Sequence, residues 1–287
     1  MKFWTALQYP LCQAALVCDG QIVRTIPRKP PNTPARRVSM VSQYDDYLVV
    51  GRRCNIELWD REGTELLHSV YHPWIYSLHD CLQVGSQFLL ACAVLDVVFL
   101  LDLQGRKSWN WWAYQDELAA EPAFVHRDDW QTVQLTQDVA HEMAHLNSIS
   151  LKGERTVLAT LLKRRVVVEL DLDDPAPRSQ LVRSLDATDP HDFQYHHDRP
   201  VYGSADGITV NGQQHKGYLY VKRIIPLAED RYLFTHEQGV TQIDRHGNRL
   251  ADWTLPRPFG ITCLEHELGD SIHDNAVDGQ TSEDSAR

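Results

Sequence analysis

Apolar positions along this chain come in short runs bounded by turn residues, a pattern that predicts β-strands rather than amphipathic helices. Runs at 47–50 (YLVV), 88–91 (FLLA), 156–160 (TVLAT) and 232–235 (YLFT) are each followed by a second apolar run, which ends at Asp60, Asp102, Asp171 or Asp244. Three of these aspartates open an Asp-x-x-Gly step, reaching Gly63, Gly105 and Gly247, and a further short strand follows as in a β-hairpin. Upstream of each pair lies a third strand, at 39–43, 77–83, 145–151 and 222–227. The spacings Val38 to Asp60, His79 to Asp102, Asn147 to Asp171 and Arg223 to Asp244 all fall between 21 and 24 residues. One grammar therefore repeats along the chain.

A shorter fifth copy runs from His191 through 201–204 to 208–210. The ends complete the series. Residues 258–264 read as a first strand with nothing after it, and residues 4–27 read as later strands with nothing before them. Joined, they make one more unit. The prediction is an all-β, six-bladed β-propeller closed by N- and C-terminal strands, a single domain over 1–266. Closure matters because an open array leaves unpaired strand edges.

Three segments stand outside the repeat. Residues 28–34 form a proline-rich connector, and residues near 114–142 are rich in helix formers. The latter predict a short helical insertion, either a lid over the channel mouth or a surface decoration. Residues 267–287 are polar and acidic and read as a disordered tail.

Composition narrows the partners. The 287 residues are 43% hydrophobic, enough for a sizeable core, and carry a formal charge of -11. That charge argues against a nucleic-acid or anionic-membrane partner. No apolar run approaches the ~18 residues of a membrane span. Six scattered cysteines without a CxxC pair read as buried thiols in a reducing compartment. The N-terminal apolar run is broken by Gln8, Pro10 and Gln13, which predicts a structural strand and a cytoplasmic protein.

The chemistry turns on residues 141–150, HEMAHLNSIS. As HExxH on a helix, His141 and His145 would share a zinc and Glu142 would act as the base of a peptidase. As a strand, the same segment places His145 and Asn147 on one face. The residues that follow, Asn147 to Ser150 and then Lys152-Gly153, are strand and turn chemistry, and no third zincin ligand follows. The propeller reading is favoured. Its repeat phase puts Val38, His79, Asn147, His191, Arg223 and roughly Gly260 at the starts of the inner strands. The channel rim would then gather His79, His145, Asn147, His191 and Arg223, and imidazoles at repeat-equivalent positions point to a functional site. His196 and His197 sit in a turn. Trp59, Trp109, Trp111, Trp112 and Trp253 read as packing between blades.

The segments HDCLQ (79–83), HLNS (145–148) and PHDFQ (190–194), with LLDLQGRKSWNWW (100–112) between them, resemble the arylsulfotransferase-like six-bladed propellers. That resemblance spans roughly residues 39–256. It implies an H-x-N pair at His145 and Asn147, single blade-start histidines at His79 and His191, and a family arginine at Arg164. It also implies sulfuryl transfer between phenols through a sulfated histidine, with a small phenolic or sulfated substrate and no cofactor. Two other readings remain open. His79, His145 and His191 could ligate a transition metal such as Fe, Cu or Zn in a metal-dependent enzyme. Alternatively, the propeller rim could serve a protein partner without catalysis.

Overall fold

The computed structural model describes residues 1–8, 11–26, 38–44, 46–52, 54–113 and 144–263. Among them, 24 strands form six four-stranded antiparallel sheets arranged as the blades of a propeller. Blade I joins the chain ends, with β24 (Pro258–Cys263) innermost, followed by β1 (Lys2–Leu7), β2 (Gln13–Cys18) and β3 (Gln21–Ile26). Blade II holds β4 (Val38–Gln43), β5 (Tyr47–Arg52), β6 (Asn55–Asp60) and β7 (Leu66–Tyr71). Blade III holds β8 (Leu78–Val84), β9 (Gln87–Cys92), β10 (Val97–Leu101) and β11 (Lys107–Trp112). Blade IV holds β12 (Leu146–Leu151), β13 (Thr156–Leu161), β14 (Val166–Asp171) and β15 (Gln180–Ser184). Blade V holds β16 (His191–His196), β17 (Arg199–Ser204), β18 (Gly207–Val210) and β19 (Gln213–Lys216). Blade VI holds β20 (Arg223–Leu227), β21 (Arg231–His236), β22 (Gly239–Ile243) and β23 (Arg249–Thr254). The expected closure is present: β1 pairs antiparallel with β24, Trp4 opposite Thr262.

The repeated Asp-x-x-Gly step has a physical explanation. In blade III, Gly105 donates its N–H to the Asp102 carbonyl at 3.0 Å, while the Asp102 carboxylate accepts from Gln104 and Arg106 N–H. Asp244 makes the same set with Gly247, His246 and Asn248. Gly63, Gly105 and Gly247 all adopt positive φ, between 66° and 81°, which explains the glycine at the fourth position. Blade IV lacks that glycine. There the turn after Asp171 widens into a longer connection before β15.

The core sits between blades, not inside one barrel. Among the described residues six buried apolar clusters occur, one at each junction of neighbouring blades. The junction that closes the ring packs Phe3 and Val17 of blade I against Leu227, Leu233 and Val240 of blade VI. Most outermost strands are exposed, whereas β11 buries its three tryptophans. Trp112 packs toward blade II, and Trp109 and Trp111 pack toward blade IV, so the KSWNWW strand wedges three blades together. Trp109 also donates its indole N–H to the Asp174 carbonyl at 2.9 Å.

The helical insertion expected near 114–142 and the disordered tail expected at 267–287 lie outside the described residues. The ends of that insertion do not. Asp96 accepts Ala113 N–H on its own carbonyl, and its carboxylate accepts the N–H groups of Ala144 and Leu146. One buried aspartate thus holds both flanks of the 114–143 segment to the third blade. No described helix is long and apolar enough to cross a membrane.

Candidate functional site

Five of the six inner strands open with a β-bulge. The register slips between Val38 and Met40, between Leu78 and Asp80, between Leu146 and Ser148, between His191 and Gln194, and opposite Ala6 and Leu7 in β24. A bulge re-aims side chains where regular pairing ends. Two residues upstream of the blade starts, Ser77, His145, Asp189, Tyr220 and Arg257 all take positive φ. This shared geometry identifies the equivalent positions as Ser39, His79, Asn147, His191, Lys222 and Phe259. All six line one pocket at the mouth of the channel.

The sequence phase is therefore corrected in three blades. Ser39, Lys222 and Phe259 stand one residue away from the expected Val38, Arg223 and Gly260, a shift that apolar periodicity cannot register, and Arg223 and Gly260 line the same pocket. His79, Asn147 and His191 keep their assigned positions. Arg223 belongs to the next tier in, where it ion-pairs with Asp80 at 2.7 Å and Asp192 at 3.1 Å.

Hydrogen bonds fix the protons of the mouth. Asn147 Nδ2 donates to the Pro190 carbonyl at 3.0 Å, which leaves Oδ1 facing His79 Nδ1 at 3.2 Å. An amide oxygen only accepts, so His79 carries its proton on Nδ1 and Nε2 is its basic nitrogen. His191 Nδ1 lies 2.6 Å from the Asp189 carbonyl and donates to it by the same logic. Burial pushes the His191 pKa down to about 4, against the effect of that hydrogen bond, and nearby Lys222 and His145 push the same way. His191 is a neutral imidazole at neutral pH.

His145 precedes β12 with φ of 51°, and its ring stands perpendicular to that of His79 at 5.1 Å. A peptidase helix cannot run through a residue in that conformation into a strand. His141 and Glu142 lie outside the described residues. Arg164 sits on the 162–165 turn, where Leu162 and Lys163 donate to the carbonyls of His145 and Ala144. It is beside the mouth but not among the pocket-lining residues.

Sequence reasoning missed the carboxylates beneath the imidazoles. Asp80 accepts Ile149 N–H from blade IV, and Asp192 accepts Ile224 N–H from blade VI, so each fastens the next inner strand. Burial raises the Asp192 pKa to about 6; Arg223 opposes this and the charge of Asp80 adds to it. Burial works against the Arg223 charge, yet Asp192 and Asp80 outweigh it and raise its pKa. The signal was present: the dipeptide His-Asp occurs at both His79-Asp80 and His191-Asp192.

The inner pocket is narrow, with a volume of about 20 Å³. That holds about one water molecule. A wider pocket of about 180 Å³ adjoins it, sharing Lys222 and lined also by Gln8, Tyr220, Glu237, Arg257 and Pro258. Lys222 Nζ lies 4.5 Å over the Phe259 ring, at the junction of the two spaces. Among the described residues, the trio whose ligand atoms all come within 4.8 Å is a different one, His196, His197 and Asp230.

No protein-family model and no curated protein matches this chain. Solved structures do. A protein of unknown function from Bacteroides caccae aligns with a TM-score of 0.62 at 11% identity, over 91% of this chain and 98% of that one. A chain of a nidogen/laminin complex aligns with a TM-score of 0.62 at 10% identity, over 91% and 97%. A streptogramin B lyase aligns with a TM-score of 0.58 at 11% identity, over 91% and 83%. The chain is a six-bladed β-propeller. At such identities the likeness is one of fold.

Proposed function

We propose that the channel mouth is the active site of an arylsulfotransferase-like enzyme, acting on a small phenolic or sulfated substrate in the cytoplasm. The observation that carries this reading is the pair of imidazoles, His79 and His191, each with its proton held on Nδ1 by a hydrogen bond. That leaves Nε2 as the basic atom of both rings. In this reading Nε2 of neutral His191 attacks sulfur as the bond from sulfur to the aryl oxygen breaks, and the aryl oxygen leaves as phenoxide beside the Lys222 ammonium. A second phenol, its proton taken by the basic Nε2 of His79, then attacks the sulfated imidazole and restores it, and His79 returns that proton to the released phenoxide. The wider pocket suits an aromatic ring, since a cavity of roughly 150 Å³ takes benzene. Lys222 stands between the two spaces as the cation for sulfate oxygens. Arg223, already shared by two carboxylates, supports the site from below, and Arg164 flanks it.

The test is p-nitrophenyl sulfate with a phenol acceptor. Acceptor-dependent nitrophenolate release and a sulfuryl adduct on His191 by mass spectrometry are expected. Release should fall about 10²- to 10⁴-fold in His79→Ala and disappear in His191→Ala. Absence of acceptor-dependent turnover in the folded protein would defeat the proposal.

A further inference from the structure

The opposite end of the channel carries a second constellation, independent of the mouth. His196 ends β16, whereas His191 begins it. Five residues of strand separate the two levels by roughly 16 Å. At the far end, the β16–β17 turn of blade V meets the β20–β21 turn of blade VI. His196 Nε2 lies 3.7 Å and His197 Nε2 4.0 Å from Asp230 Oδ1.

The backbone sets up this meeting. His197 and Asp198 both take positive φ, as the centre of a tight hairpin turn requires. Neighbours in a regular strand point to opposite faces, but this turn folds the His197 ring back beside His196, with centroids 4.1 Å apart. Across the seam, Glu229 and Asp230 are also in the left-handed region. No glycine relieves either turn. Strained turns carrying ligand-type side chains often mark functional sites.

The spacings are informative. At 3.7 and 4.0 Å the nitrogens are beyond hydrogen-bond distance of the carboxylate. Metal–ligand bonds of about 2.0–2.1 Å at tetrahedral angles put donor atoms about 3.3 Å apart, so small rotamer shifts would close the trio around an ion. His196 Nε2 is buried with no hydrogen-bond partner among the described residues, and its ring is wedged edge-on to Tyr232 at 5.5 Å. An orphaned buried nitrogen facing a second imidazole and a carboxylate is poor packing without a ligand.

We infer that His196, His197 and Asp230 form a binding site for a divalent first-row transition ion such as zinc, pinning blades V and VI together. Two imidazoles and one carboxylate suit a borderline cation and leave a position open to solvent. Asp230 Oδ2 faces Arg245 at 3.6 Å, a contact that orients Oδ1 toward the imidazoles. Arg199 and Arg245 oppose the incoming charge, which favours a site of moderate affinity.

The experiment uses the full chain stripped with chelator and titrated with zinc, with cobalt and copper as spectroscopic probes. One equivalent of zinc should bind and raise the melting temperature, and copper should show hyperfine coupling to two nitrogens. Affinity should fall at least about 100-fold in His197→Ala and in Asp230→Asn. His197 is a solvent-exposed side chain, so its variant folds. The His79→Ala variant should bind as the wild type does. No stoichiometric binding would overturn the inference, as would loss of binding in His79→Ala with retention in His197→Ala.

Discussion

Arg223 of blade VI donates to Asp80 of blade III, the blade directly across the ring, at 2.7 Å. The guanidinium spans the channel and also reaches Asp192 of the neighbouring blade. Asp80 and Asp192 in turn accept backbone N–H groups of blades IV and VI. One ionic group thus ties four of the six blades beneath the imidazoles. Removing a single partner of such a buried set strands the others. Arg223→Met is expected to lose about 3–5 kcal/mol of stability by urea denaturation. Adding Asp80→Asn and Asp192→Asn should recover much of it.

Asn147 decides which nitrogen of His79 carries the proton. Asn147→Ala removes the acceptor at Nδ1. Nitrogen NMR of the imidazole should show the Nδ1-protonated form in the wild type and a shift toward the Nε2-protonated form in the variant. Transfer activity should fall with it, by about tenfold or more, while the fold stays intact.

Stability should depend on pH through two opposed groups. The folded pKa of His191, about 4, lies below its ordinary 6.5, so its contribution is full above about 6.5 and is lost as pH falls through about 4. The folded pKa of Asp192, about 6, lies above its ordinary 3.8, so its contribution is full below about 3.8 and is lost as pH rises through about 6. Relative to the wild type, His191→Gln should gain stability as pH drops from 6.5 to 4, and Asp192→Asn should lose it. Each change amounts to roughly 3 kcal/mol. Parallel denaturation series for both variants measure it, and equal slopes would refute the assignment.

Asp96 holds Ala144 and Leu146 by their N–H groups. Asp96→Ala leaves those donors without their acceptor at a buried position, an expected cost of about 1–3 kcal/mol. Hydrogen exchange at the two amides should accelerate before the rest of blade IV opens.

Closure rests on the last strand. A chain ending at Arg257 lacks β24, bares the inner edge of β1 and removes Phe259 from the mouth. Loss of cooperative unfolding and association through the exposed edge are expected, read by calorimetry and light scattering.

Much of this molecule was legible in one dimension. Strand runs, Asp-x-x-Gly turns and repeat spacing determined six four-stranded blades and the shared closing blade. These depend on local turn chemistry and on a period that survives in any alignment of the chain with itself. The same phase brought His79, Asn147 and His191 to one mouth. What the tertiary structure alone decided is finer. The ring is shifted by one residue in three blades, through bulges in blades I and II and through the left-handed Tyr220 before Lys222 in blade VI, none of which leaves a trace in hydrophobic periodicity. The tautomers of His79 and His191 depend on carbonyl and amide groups supplied by other segments. The span from Arg223 to Asp80 joins residues 143 apart in sequence. Such pairings follow from ring closure, which brings opposite blades face to face, and no local pattern encodes that distance.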